Sequence, residues 1–192
     1  MKNKLILIAA FFSLWSCKNT ETKVTTDTTI ETIDSVATNE ASPTVETFGK
    51  APDFSLKEIN GKQYTLADLK GKYVYMDIWA TWCGPCRVQI PFMKQLEENF
   101  KDAPIHFVSV SVDSESDKPE WERMVKENQM SGIQLFAGRE NKFGYDYQIQ
   151  VVPTFIILDK EGNIITPNAP APMDYATGTL NQDLVDILKS LP

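Results

Sequence analysis

Cys83 and Cys86 enclose Gly84 and Pro85 in the segment Trp82-Cys83-Gly84-Pro85-Cys86. Such a pair can close into a small disulfide and reopen, so its natural chemistry is two-electron exchange with other thiols and disulfides. A purely structural crosslink is the alternative, but so short a loop removes little entropy from the unfolded chain. Zinc, the usual competitor for C-x-x-C, wants four protein ligands. The remaining supply is His106, the one histidine, and Cys17, which ends an N-terminal apolar stretch. No metal site is expected, and dithiol chemistry needs no cofactor.

The flanking segments must position these sulfurs. Residues 73–78, Asp77 apart, are apolar, with β-branched and aromatic members, and read as a buried strand. Residues 88–100 have helical spacing, with Phe92, Leu96 and Phe100 on one face. Cys83 then opens a helix, where unpaired N–H groups and partial positive charge draw a thiol pKa below its free value of ~8.5. Cys83 is therefore expected to be the nucleophile and the more exposed sulfur, with Cys86 one turn inward to resolve the mixed disulfide. Pro85 fits the first turn, where a missing N–H costs little. Pro91, farther in, predicts a kink. Asp77 lies on the strand six residues before Cys83. A carboxylate facing a core is costly unless it has a task or partner; a solvated strand-end aspartate is the alternative.

Asn60-Gly61 between residues 54–59 and 62–66 predicts a hairpin with a type I′ turn. Thr65-Leu66-Ala67-Asp68 predicts a short capped helix. Strands are expected at 105–112, 133–136, 155–158 and 163–166, and helices at 119–129 and 141–147. Thr179-Leu180-Asn181-Gln182 reads as a capping box opening a last helix that buries Leu180, Leu184, Ile187 and Leu188. Residues 167–175, with three prolines, read as a loop. Alternating strands and helices closed by a hairpin predict an α/β fold, a mixed central sheet flanked by helices.

The segment Asp77-Ile78-Trp79-Ala80-Thr81-Trp82-Cys83-Gly84-Pro85-Cys86 resembles the active-site segment of thioredoxins. Val152-Pro153-Thr154 resembles their second marker, whose proline is cis. Ala51-Pro52-Asp53-Phe54, Asn60-Gly61 and Leu69-Lys70-Gly71-Lys72 resemble the start of the TlpA/ResA-like group of membrane-tethered thiol–disulfide oxidoreductases. The resemblance spans roughly residues 48–190. It implies a thioredoxin fold with an N-terminal hairpin and a central strand–helix insert. It also implies a proton-handling role for Asp77 at the inner cysteine, a cis Val152–Pro153 bond that exposes backbone to an extended substrate, and substrate contacts from Trp82, Val152, Pro153 and Thr154. Trp79 reads as core and His106 as structural. Gly-Pro between the cysteines is the pairing typical of reductants in that family. Two departures matter: Gln89 stands where many TlpA/ResA-like proteins carry glutamate, and Val108-Ser109-Val110-Ser111 lacks the lysine thioredoxins keep near their aspartate.

Lys2 and Lys4 precede a short apolar run, residues 5–14, and Leu14-Trp15-Ser16-Cys17 resembles a bacterial lipobox, with Trp15 larger than usual there. Residues 1–17 are thus expected to be a lipoprotein signal ending at a lipidated Cys17. An uncleaved anchor and an ordinary cleaved signal are the alternatives. Residues 18–47 are polar and read as a flexible linker, leaving 48–192 as the thioredoxin-like domain. The formal charge of −7 argues against nucleic acid as a partner. The expected function is reduction of envelope protein disulfides, supplied by an upstream membrane electron donor. The expected form is a monomeric domain, lipid-anchored in the bacterial envelope and facing the periplasm. A thiol peroxidase is an alternative, but no proline precedes Cys83 within the strand as that chemistry's motif requires. A binding or chaperone module with an idle disulfide is the other.

Overall fold

The computed structural model describes residues 47–140 and 142–191. The signal and lipid site expected at 1–17, and all but the last residue of the expected linker, lie outside them. The first hairpin pairs β1 (Ser55–Glu58) with β2 (Gln63–Thr65) in the register Leu56↔Tyr64. Its turn is not type I′. Only Gly61 takes a positive φ, +87°; Asn60 stays in the ordinary region. The Asn60 Oδ1 accepts the Lys62 N–H at 2.9 Å, and the Gly61 N–H reaches the Glu58 carbonyl at 2.8 Å. With four residues between the strands, a type I turn followed by a left-handed glycine suffices. A 3₁₀ turn at Leu66–Leu69 follows, opened by Thr65, whose N–H and hydroxyl donate to Asp68 at 2.8 and 2.6 Å.

Strand β3 (Tyr73–Trp79) is buried along its whole length. The single kinked helix expected beyond it is two helices, α1 (Gly84–Arg87) and α2 (Ile90–Asn99). Pro91 cannot donate, and its ring excludes the carbonyl four residues back. The chain tightens just before it, with the Gln89 N–H on the Cys86 carbonyl at 3.0 Å. There follow β4 (Ile105–Ser111), α3 (Lys118–Glu127), β5 (Ile133–Phe136), α4 (Lys142–Asp146), β6 (Thr154–Leu158) and β7 (Ile164–Thr166). Two short strands, β8 (Met173–Asp174) and β9 (Thr179–Leu180), precede α5 (Gln182–Ser190).

Two expectations fail in this last stretch. Part of the expected loop is β8, which pairs with β9 through Met173↔Leu180. Thr179 and Leu180 therefore belong to a strand, and the cap of α5 is Asn181, whose Oδ1 accepts the N–H groups of Asp183 (3.0 Å) and Leu184 (3.4 Å). Threonine and asparagine are both competent caps; pairing with β8 decides between them.

Among the described residues, seven strands form one sheet in the order β2-β1-β5-β4-β3-β6-β7. The run β3, β4, β5 is parallel, while β6 joins β3 antiparallel. Side chains alternate faces along each strand. Val74, Met76 and Ile78 pack with Phe54, Leu66, Phe143 and Tyr147 on one face. Tyr73 and Tyr75 meet Met93 and Leu96 of α2 and Leu184 and Leu188 of α5 on the other. At the end of β3 on that second face, Trp79 joins Trp121 of α3 and both cysteines in a third cluster. Trp79 is core, as expected. His106 on β4 is half-buried, and burial lowers its pKa.

Candidate active site

Beyond β3 the chain turns at Ala80-Thr81, and the turn is pinned from the neighbouring strand. The fully buried Asp113 carboxylate, just after β4, accepts the Thr81 N–H (3.0 Å), the Thr81 hydroxyl (2.8 Å) and the Ser111 hydroxyl (2.7 Å). Charge-assisted bonds of this kind are about twice as strong as neutral ones. Sequence reasoning missed Asp113, because nothing in the local pattern signals a bond spanning 32 positions.

Cys83 follows as the cap residue of α1, and its Sγ accepts the Cys86 N–H at 3.1 Å. The two cysteines are joined in a disulfide with their Cα atoms 5.2 Å apart. The expected difference in exposure is not found: Cys83 is 4 % and Cys86 3 % exposed. Cys83 Sγ lies 3.6 Å from the Val152 carbonyl oxygen, so the loop leading into β6 covers it in this oxidised state. The cysteines differ in their surroundings instead. The Cys83 sulfur has that loop and a helix-start N–H beside it, while both cysteines sit in the cluster with Trp79 and Trp121.

The Val152–Pro153 bond is cis, as the motif implied. Val151 is 70 % exposed beside it, while Thr154 turns its hydroxyl onto the Val151 carbonyl at 2.7 Å. Thr154 thus braces the loop through an exposed bond. Trp82 is 56 % exposed, with the Arg139 guanidinium 5.6 Å from its ring centroid. Trp82, Arg139, Tyr145, Val151 and Val152 line a groove of about 380 Å³ beside the disulfide. Arg139 and Tyr145 come from the insert region and escaped the sequence reading.

Asp77 is 5 % exposed, on the face that also carries Tyr75 and Trp79. The solvated alternative is thereby excluded. Burial pushes its pKa up to about 7; the Ser109 hydroxyl opposes this, and the like charge of Glu97 adds to it. Gln89 is also buried. Its Nε2 donates to the Tyr175 hydroxyl and its Oε1 accepts the Met173 N–H, both at 2.8 Å. The segment that read as an unassigned loop is therefore tied to the joint between α1 and α2, and Gln89 is the tie.

A disulfide closing the end of a central parallel strand, opposite a cis-proline loop, places the chain in the thioredoxin-fold class of redox proteins. The Redoxin family model matches residues 48–178. Thiol-disulfide oxidoreductase ResA of Bacillus subtilis is 30 % identical over 70 % of this chain and 69 % of its own length. A solution structure assigned as a thiol-disulfide oxidoreductase from Bacteroides vulgatus shares 43 % identity, covering 79 % of this chain and 92 % of its own, with a TM-score of 0.61. The exposed lipoprotein thioredoxin of Streptococcus pneumoniae shares 26 %, covering 73 % of this chain and all of its own, with a TM-score of 0.57. The chain belongs to the Redoxin family, in its TlpA/ResA-like group of thiol–disulfide oxidoreductases. It spans about two thirds of the length of the curated relatives it matches.

Proposed function

We propose that this chain is a lipid-anchored, extracytoplasmic reductase of protein disulfides. The observation that carries the chemistry is the Cys83–Cys86 disulfide lying 3.6 Å from the Val152 carbonyl on a cis-proline loop. In the reduced protein the Cys83 thiolate attacks a substrate disulfide. A Cys83–substrate bond forms, the substrate S–S bond breaks, and one substrate thiolate leaves. Cys86 then gives its proton to Asp77 and attacks the Cys83 sulfur, which releases the second substrate thiolate. Two electrons have passed from the dithiol to the substrate, and an upstream dithiol donor restores the pair by the reverse exchange. Trp82, Val152 and Pro153 hold the extended substrate, whose backbone pairs with the exposed loop. A reduced sample of the full-length protein should cleave the interchain disulfides of insulin, read as turbidity, and Cys83→Ser should abolish this. Equal turbidity with Cys83→Ser would leave the groove a binding module.

The anchoring part of the reading rests on the lipobox resemblance at Leu14-Trp15-Ser16-Cys17 and on the lipoprotein character of the pneumococcal neighbour. Among the described residues no helix is long and apolar enough to cross a membrane. Wild-type protein should partition into the detergent phase and stay with membranes, and Cys17→Ala should lose both properties or stall in processing. Identical soluble fractionation of the two rules out the lipid.

A further inference from the structure

The groove beside the disulfide has apolar walls and one charged side chain. Three of the six large apolar side chains that stand exposed among the described residues, Trp82, Tyr145 and Val151, line it. Exposed apolar surface gathered in one place marks a site where another molecule sits. Arg139 lines the groove too, and no other lining residue carries a charge. The groove also begins at the chemistry. Val152 forms part of its wall, and the Val152 carbonyl is 3.6 Å from Cys83 Sγ. A substrate cysteine seated on Cys83 therefore puts its flanking residues into this space.

The aromatic ring and the cation are held from one residue. The Asp113 carboxylate grips the N–H and hydroxyl of Thr81, next to Trp82, while the Asp113 carbonyl accepts the Arg139 N–H at 2.8 Å. That bond continues the pairing of β4 with β5, since the Ala137 N–H reaches the Ser111 carbonyl at 2.9 Å. The Arg139 guanidinium then lies 5.6 Å from the Trp82 ring centroid, within cation–π reach. It has no carboxylate partner. The ion pairs among the described residues are those of Lys101, Arg123 and Lys142, and the last engages Asp146, the acid of α4. Glu115 lies against Gly138 but does not reach the guanidinium within ion-pair distance. A planar fork of N–H donors, fixed beside a ring and left without an anion, matches a carboxylate.

We propose that Arg139 selects protein disulfides whose cysteine is flanked by an aspartate or glutamate, with a neighbouring apolar side chain laid against Tyr145 and Val151. The proposal rests on the reductase reading and names the substrates of that site. A flanking carboxylate can take two N–H bonds from the guanidinium at once. A flanking lysine meets the same group as a like charge and is rejected. The chain's formal charge of −7 repels an acidic partner at a distance. At physiological salt that repulsion is screened beyond about 8 Å, so the preference arises on contact, where Arg139 is the one lining charge.

The test uses the full-length protein and peptides that differ only in the residue flanking a single cysteine: glutamate, glutamine or lysine. Each cysteine is joined by a disulfide to a chromogenic aromatic thiol. The Cys83 thiolate of the reduced protein breaks that bond and Cys86 completes the exchange. Peptide and aryl thiols are both released, with two electrons taken from the dithiol. Single-turnover rate constants are divided by those of a small neutral thiol, which removes each peptide's own reactivity. In the wild type the glutamate peptide should react roughly three- to ten-fold faster than the glutamine peptide, between the worth of an exposed ion pair and of a charge-assisted hydrogen bond. The lysine peptide should be slowest. Arg139→Gln should bring the glutamate-to-glutamine ratio to about one, and Arg139→Glu should make the lysine peptide fastest. Arg139 is exposed and its backbone bond to Asp113 survives either change, so the fold is kept. Peptides with serine in place of cysteine, titrated into the oxidised protein and followed on the Trp82 indole NMR signal, should bind in the same order. Equal glutamate and glutamine rates in an active wild type, or a glutamate preference that persists in Arg139→Glu, overturns the proposal. If the wild type cleaves neither these peptides nor insulin, binding decides: an order that follows Arg139 overturns only the reductase reading, and no order overturns both.

Discussion

In cells carrying Cys86→Ala, Cys83 should accumulate disulfide-linked complexes with its substrates, visible as bands that collapse on reduction. Cys83→Ala should accumulate none. The expected contrast is all or nothing because the second exchange is intramolecular. With Cys86 in place, its sulfur sits against Cys83, and the Cα atoms are only 5.2 Å apart. Removing it leaves the mixed disulfide to wait for an outside thiol, so a transient species becomes a stored one. The near-equal burial of the two sulfurs does not weaken the prediction. Both cysteines lie in the cluster of Trp79, Ile90 and Trp121, but it is Cys83 that caps α1 and whose sulfur meets the Val152 loop that a substrate strand would engage. Mass spectrometry of the trapped species would also name the partners. Trapping through Cys86, or through neither cysteine, overturns the assigned order of attack.

Asp77→Asn should slow resolution by roughly 10²-fold near neutral pH, the usual worth of a positioned base, while making the protein more stable in alkaline buffer. The sign follows from the raised pKa. The folded protein binds this proton more tightly than the unfolded chain, whose aspartates titrate near 3.9. The contribution of Asp77 is therefore fully present below about pH 4 and is lost as pH rises towards about 7, the folded-state value. A difference of three units is worth on the order of 4 kcal/mol at most. Asparagine removes that penalty but brings a buried N–H₂ group that wants a partner, costing about 1–3 kcal/mol if unpaired. The net gain should be about 1–3 kcal/mol at pH 8 and near zero or negative at pH 4. Thermal melts at the two pH values check the stability. Reductase rates unchanged from the wild type's across pH 6 to 9 would reduce Asp77 to a structural residue.

Gln89 shows how a substitution legible in sequence can acquire its meaning only in space. Its inability to titrate is evident from its type, as is its place three residues after Cys86. That its amide instead holds Met173 and Tyr175 against the active-site helix required the fold. The Asn60-Gly61 turn and the cap of α5 mark the opposite limit. In both, residues with the correct local chemistry were present, and strand pairing chose a different use for them.

Sequence alone determined the features whose causes are local. The strand expected at residues 73–78 follows from a largely apolar run, the break before α2 from Pro91, and the redox pair from the two-residue spacing of its cysteines. The cis bond before Pro153 and the burial of Asp77 were legible too, one from its motif and the other from its place on that strand. Tertiary structure decided what depends on elements meeting from distant parts of the chain. Asp113 gripping Thr81, the loop covering Cys83, and Gln89 holding Met173 and Tyr175 each join residues far apart in sequence. Periodicity fixes which face a side chain takes, but strand order and register fix what it finds there.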